Sequence, residues 1–208
     1  MLKSPAGRIG IMGGTFDPIH YGHLFAAAET ADELKLDKVI FVPTGAPPHK
    51  KYKEMAGAIE RYEMTLLAIT GNERFEISRT ETDRLGLSYT LDTLTAMRAM
   101  YPQSELFFIT GVDAILDIDK WKNPFEITLM CTIAVVKRPG YDNARLCKLP
   151  GEIRSSVYVV GTPMLDISAT DIRHRVSAGR GVRYLMPESV RAYIEKNGLY
   201  SIMDGESI

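Results

Sequence analysis

Two histidines, His20 and His23, stand three residues apart directly behind the run Gly13-Gly14-Thr15-Phe16-Asp17-Pro18. If they open a helix, both imidazoles share one face near the positive end of the helix dipole. Rings placed there can hold phosphoryl oxygens and absorb the charge that develops when one phosphate attacks another. The two glycines follow an apolar run, where they permit φ > 0 and let the backbone come close to an anion. The plainer reading is a tight turn followed by incidental helix-start residues. A zinc site is disfavoured because no third ligand of suitable type lies nearby, so no metal ligands are assigned.

Ser168, Thr170 and Arg173 form a second candidate group within Ile167-Ser168-Ala169-Thr170-Asp171-Ile172-Arg173. Ser168 is a good N-cap and Asp171 stands three residues on, which is a capping-box spacing. The same geometry leaves N–H groups and a hydroxyl facing outward, and Arg173 adds a forked donor suited to phosphate oxygens. Capping and anion binding are compatible. His174 and Arg175 read as solvated neighbours.

Short apolar runs alternate with amphipathic stretches. Arg8 to Met12, Val39 to Val42, Phe75 to Ser78, Leu106 to Thr110, Thr132 to Val136 and Val157 to Val160 read as strands. Helical patterns cover His20 to Leu34, Ile59 to Thr70, Thr90 to Met100 and Ala114 to Leu129, the last with a possible break at Pro124, and then Ala169 to Ser177 and Pro187 to Asn197. This rhythm predicts an α/β fold with a doubly wound parallel sheet, Rossmann-like, carrying a small C-terminal helical segment over about 168–198. Its ligand crevice would lie beyond the carboxyl ends of the strands. A single domain over 1–200 and a frayed tail over 201–208 are expected. The loop from Pro43 to Lys53, with Pro47, Pro48, Lys50, Lys51 and Lys53, reads as exposed.

At 208 residues, 45% hydrophobic and 25% charged, the chain is long enough for one sizeable core. Twenty-five basic against 26 acidic side chains leave a formal charge of −1, which excludes the basic excess of a dedicated nucleic-acid binder. Any phosphate site must be local. Cys131 and Cys147 have no CxxC spacing, and no window is apolar enough for a signal peptide or a membrane span, so a cytoplasmic protein is expected.

Taken whole, Gly13-Gly14-Thr15-Phe16-Asp17-Pro18-Ile19-His20-Tyr21-Gly22-His23 resembles the (H/T)xGH signature of the nucleotidyltransferase superfamily. In this form it is most similar to bacterial nicotinate-nucleotide adenylyltransferases. The run from Ile167 to Arg173 resembles the ISxTxxR motif of the same superfamily. Further likeness lies in Thr44-Gly45-Ala46-Pro47-Pro48-His49-Lys50, Ser88-Tyr89-Thr90-Leu91-Asp92-Thr93-Leu94, Thr110-Gly111-Val112-Asp113 with Trp121-Lys122, and Val182-Arg183-Tyr184-Leu185. The resemblance covers about residues 8–198.

It implies transfer of an adenylyl group from ATP, carried with Mg2+, to nicotinic acid mononucleotide, a step of NAD synthesis. Gly13, Gly14, Thr15, His20 and His23 would surround the triphosphate, with the two histidines catalytic. Ser168, Thr170 and Arg173 would hold the β and γ phosphates, while Asp17 and Pro18 shape the turn. His49, Lys50, Thr90, Asp113, Trp121 and Lys122 would serve the acceptor. Of these, Asp113 could accept from ribose hydroxyls or cap a helix, and Trp121 could stack on a pyridine ring or anchor the core. The nicotinate carboxylate would meet backbone N–H groups around Thr90 and Trp121-Lys122. Partners would be these small molecules, with neither nucleic acid nor membrane, and a homo-oligomer is compatible with the reading. A phosphopantetheine adenylyltransferase-like enzyme shares the two end motifs but is shorter and lacks the SYTLDTL and GVD…W segments. A binding protein that kept the fold and lost turnover is the other alternative.

Overall fold

The computed structural model describes residues 7–47, 55–137, 143–161 and 165–201. His49 and Lys50, and the tail beyond Ser201, lie outside the described residues. The apolar runs become strands β1 (Arg8–Gly14), β2 (Lys38–Pro43), β3 (Phe75–Ile77), β4 (Glu105–Gly111), β5 (Thr132–Val136) and β6 (Val157–Val160). They pair in parallel in the order β3-β2-β1-β4-β5-β6. Ile11 lies beside Ile40 of β2 on one flank and Phe108 of β4 on the other. The order reverses at β1, and the crevice between the carboxyl ends of β1 and β4 is the switch point where such sheets bind ligands.

Both sheet faces are covered, which is why the strands read as continuous apolar runs rather than as an alternation. On one face Met12, Val39, Phe41, Phe107, Ile109 and Ala134 pack under helices α1 (Tyr21–Glu33) and α2 (Ala58–Ile69). On the other, Ile9, Ile11, Ile40, Phe108, Ile133 and Val135 pack under α3 (Thr90–Met100), α4 (Val112–Leu116), α5 (Pro124–Met130) and α6 (Gly151–Ser155). Helices α7 (Ala169–Ser177) and α8 (Glu188–Lys196) complete the first face through Ile172, Val190 and Ile194. Helix α8 stops where Gly198 takes φ +60, as its sequence punctuation indicates.

The stretch from Ala114 to Leu129 is not one helix. It divides into α4, a 3-10 turn over Ile118–Lys120, and α5. Asn123 adopts a left-handed φ of 45 ahead of Pro124, which is the first residue of α5 and starts that helix rather than breaking one. The short α6 and a 3-10 segment over Asn143–Lys148 have no counterpart in the sequence pattern, being too brief to show a period. No helix among the described residues is long and apolar enough to cross a membrane.

Gly10 is where the sheet needs the smallest residue. A Cβ there would stand 2.8 Å from Leu36 Cδ1, 3.0 Å from Ile109 Cδ1 and 3.2 Å from Val39 Cγ2, and all three neighbours are buried. Gly10→Val is therefore expected to lower stability by about 1–3 kcal/mol through overpacking. A urea titration followed by circular dichroism measures this, and an unchanged midpoint would contradict it.

Candidate active site

The signature turn lies across the carboxyl end of β1, and its conformation differs from the expected glycine turn. Gly13 and Gly14 are the last residues of β1, in register with Val42 and Pro43, and the positive φ falls instead on Phe16, at 49. Gly14 is needed because the Phe16 ring folds back over it: a Cβ would lie 2.7 Å from Phe16 Cε1. Phe16 is buried and meets His23 edge-on with 5.1 Å between ring centroids. A side chain held at an uncommon φ is one this packing must fix in place.

His20 is the N-cap of α1 and only 5% exposed, and its ring lies 3.7 Å from that of His23, tilted by 30°. The His20 N–H donates to His23 Nδ1 at 3.3 Å, and by that bond a neutral His23 carries its proton on Nε2. Gly22 makes room for this arrangement, since a Cβ would press on His20 Cε1 and Nδ1 at 3.0 Å. The Tyr21 N–H, at the first turn of α1, donates to the Leu185 carbonyl at 3.0 Å. The segment from Val182 to Leu185 therefore braces the helix that carries the histidines.

Two lobes open from this turn. One, of about 370 Å³, is lined by Gly13, Gly14, Thr15, His20, His23 and Asp113, with Ile167 and Lys137 also in its wall. The other, of about 250 Å³, is lined by Thr44, Glu81, Ser88, Tyr89, Thr90, Trp121 and Lys122. Gly13, Gly14, Thr15, Thr110 and Ala114 belong to both, so the lobes share a floor at the ends of β1 and β4. Among the described residues no group of three or more His, Cys, Asp or Glu is placed to hold a metal ion.

Asp113 is the second residue of α4, behind the N-cap Gly111, so the helix-cap reading of Asp113 is corrected. It lies exposed in the larger lobe. Trp121 packs edge-on against Phe108 at 5.8 Å, as a core anchor does, and also lines the smaller lobe. Its N–H is committed to the Ile118 carbonyl at 3.0 Å, which removes it from the donors expected for a carboxylate. Thr90 is the first residue of α3, whose N-cap Tyr89 makes no side-chain cap, so the start of this helix offers N–H groups to the lobe. Lys122 Nζ pairs with Asp92 at 3.0 Å and lies 5.0 Å from the centroid of the Tyr89 ring.

Ser168 caps α7, accepting the Asp171 N–H at 3.1 Å. The reciprocal half of the capping box is not made, because the Asp171 carboxylate pairs with Arg175 at 2.6 Å. Thr170 and Arg173 border an adjoining cavity of about 570 Å³ with Ala56 and Tyr200, whereas the histidines line the larger lobe of the crevice. Arg173 reaches the signature turn all the same, Nη1 donating to the Asp17 carbonyl at 2.7 Å and lying 3.6 Å from Asp17 Oδ2.

The residue pattern did not reveal Arg61 or Glu81. Arg61 is fully buried and donates to the carbonyls of Ala56 (3.0 Å), Thr15 (2.8 Å) and Gly45 (3.0 Å). Burial holds its guanidinium below the usual arginine range, with the nearby Asp17 carboxylate opposing the shift. Within Glu60-Arg61-Tyr62-Glu63 it looks like ordinary surface charge, and its place on the buried stripe with Met64 and Thr65 becomes recognisable only once the fold is known.

Asp17, 5% exposed, accepts from the Ala56 N–H at 3.1 Å and the Tyr200 hydroxyl at 2.7 Å. Burial, then the Asp17 charge and hydrogen bond, push the Tyr200 hydroxyl well above the usual tyrosine range. Because the folded-state value is raised, its contribution is complete below the unfolded value of about 10 and fades as pH rises above it. Tyr200→Phe is expected to cost about 1–2 kcal/mol at pH 8, with the gap to wild type narrowing above about pH 10. Denaturant titrations in both pH ranges test this, and a gap that widens in alkali would contradict it.

A cytidylyltransferase-like family profile matches residues 11–175. A Moorella thermoacetica protein named "Probable nicotinate-nucleotide adenylyltransferase" is 50% identical over 204 residues, covering 96% of this chain and 94% of its own. A Thermus thermophilus protein of the same name is 48% identical over 195 residues, covering 93% and 99%. The solved Plasmodium falciparum nicotinic acid mononucleotide adenylyltransferase, complexed with NaAD, shares the fold with a TM-score of 0.78 at 21% identity, over 93% of this chain and 97% of that one. With near-complete coverage at such identity, and the signature turn and its histidines built as described, the chain belongs to the nicotinate-nucleotide adenylyltransferase family within the cytidylyltransferase-like nucleotidyltransferases.

Proposed function

We infer that this chain transfers the adenylyl group of MgATP to nicotinic acid mononucleotide, giving nicotinic acid adenine dinucleotide and pyrophosphate in NAD synthesis. The observation that carries the reading is the pair of lobes sharing one floor, with both histidines at the edge of the larger lobe. A dinucleotide product needs two nucleoside-sized spaces joined where the phosphates meet.

A 5′-phosphate oxygen of the acceptor attacks the α-phosphorus of ATP. The bond from that phosphorus to the bridging oxygen breaks, and pyrophosphate leaves with the electron pair. The acceptor phosphate is already an anionic nucleophile, so the protein's task is alignment and charge stabilisation. In this reading His20 and His23 donate to oxygens of the α-phosphate, and Gly13, Gly14 and Thr15 let the chain pass close beneath. Ser168, Thr170 and Arg173 serve the departing phosphates, and Asp113 a ribose. Trp121 stacks on the pyridine ring, and the N-terminus of α3 at Thr90, with Lys122, receives the carboxylate. His49 and Lys50 are assigned to the acceptor phosphate by resemblance alone. Mg2+ is assigned to the triphosphate, arriving as part of the substrate. Cys131 and Cys147 remain thiols, the state in which a reducing cytoplasm would keep them.

His20→Ala and His23→Ala are each expected to lower kcat by roughly 100-fold or more with the fold intact, as for lost transition-state donors. Near-wild-type turnover in both would remove them from the mechanism. The substrate assignment is tested by pyrophosphate release with MgATP and either nicotinic acid mononucleotide or its amide. Turning an amide NH2 toward N–H donors leaves donor facing donor, so kcat/KM should favour the acid by about 10³ to 10⁵. A ratio near one would overturn the assignment of the ring pocket.

A further inference from the structure

Glu81 is a carboxylate facing a lobe assigned to an anionic acceptor, and it is only 5% exposed. Such a group is costly unless donors surround it. Here they do. Thr93 Oγ1 donates to Glu81 Oε1 at 2.6 Å, and the Ser88 hydroxyl and Gly45 N–H lie near enough to favour the charged form. Burial leaves the carboxyl above its ordinary range, with Thr93, Ser88, the charge of Arg84 and Gly45 opposing the shift in part.

The donors come from three separate pieces of the lobe. Gly45 belongs to the loop after β2, Ser88 to the segment entering α3, and Thr93 to the first turns of α3 itself. The loop and the segment also bond directly, Ser88 N–H to the Ala46 carbonyl at 2.9 Å and Ala46 N–H to Ser88 Oγ at 3.4 Å. Contact is close enough that a Cβ on Gly45 would run into the Glu81 carbonyl. Thr90, the first residue of α3 and part of the lobe's lining, lies between Ser88 and Thr93 in the chain, so whatever fixes those two fixes its direction.

We propose that Glu81 is a positioning residue for the acceptor, gathering Gly45, Ser88 and Thr93 so that the N-terminus of α3 is aimed at the acceptor's carboxylate. The role requires an ionised carboxylate rather than any polar side chain. Thr93 donates to it and the Ser88 hydroxyl and Gly45 N–H lie close by, so a glutamine in its place would turn an NH2 toward at least one of these donors. The larger lobe shares none of these contacts, so the effect falls on one substrate.

This rests on the adenylyl-transfer reading above. The test is steady-state kinetics with nicotinic acid mononucleotide and ATP varied separately, for wild type, Glu81→Gln, Thr93→Val and Thr93→Ser, with thermal unfolding measured in parallel. Expected results are a KM for the mononucleotide raised roughly tenfold in Glu81→Gln and about fivefold in Thr93→Val. Thr93→Ser, which keeps the hydroxyl, should return to within about twofold of wild type, and the KM for ATP should stay within about twofold throughout. Equal changes for both substrates, no change, or Thr93→Ser behaving like Thr93→Val would overturn the positioning role. If Glu81→Gln fails to fold, the Thr93 pair decides the matter. Failure of the wild type itself to use nicotinic acid mononucleotide would overturn the functional reading and this proposal with it.

Discussion

A buried guanidinium holds this site together. Arg61 has no exposed surface and spends its donors on three backbone carbonyls, those of Ala56, Thr15 and Gly45. Thr15 is part of the floor common to both lobes, and Gly45 lies in the loop after β2 whose Thr44 and Pro47 line the smaller one. Removing the charge from water is costly, and only well-made hydrogen bonds offset that cost. The turn and the loop are therefore held at one separation, because any drift would leave the buried cation without its acceptors.

From Arg61 the polar contacts run in both directions. On one side Ala56 also donates to Asp17, and the Asp17 carbonyl accepts from Arg173 on α7, with Tyr200 closing over the same carboxylate. On the other side Ala46, next to Gly45, exchanges hydrogen bonds with Ser88, and Glu81, packed against Gly45, takes the Thr93 hydroxyl. One continuous chain of charged and polar groups thus links the helix proposed to serve the leaving phosphates with the helix proposed to receive the acceptor. Satisfied networks of this kind rigidify what they join, which is what a reaction governed by alignment of two phosphates demands.

The frame was legible in the sequence because the strands are buried on both faces, a setting that unbroken apolar runs such as Val39 to Val42 point to directly. The histidine pair and the serine cap were legible because their roles are local, set by neighbours three residues away. Arg61 and Glu81 were not. Each sits among other charged residues in stretches that resemble solvated surface, and burial is decided by segments distant in the chain, such as Thr15 for Arg61 and Gly45 for both. The left-handed Phe16 and Asn123 escaped for a related reason, since aromatic packing holds the first and asparagine is itself the non-glycine residue that tolerates this region best, so neither position needs a glycine to mark it. Arg173 carried a plausible role from its residue type, yet its anchoring to the Asp17 carbonyl is a contact between residues at opposite ends of the chain.

If Arg61 keeps the two lobes in register, calorimetric titration of wild type and Arg61→Lys with three ligands shows it most directly: nicotinic acid adenine dinucleotide, nicotinic acid mononucleotide and a non-hydrolysable ATP analogue. A lysine retains the charge but cannot reach three carbonyls at once. Only the dinucleotide spans both lobes, so its affinity should fall at least roughly tenfold while each mononucleotide changes by less than about threefold. Equal losses for all three ligands, or an unaltered affinity for the dinucleotide, would contradict a registering role for Arg61.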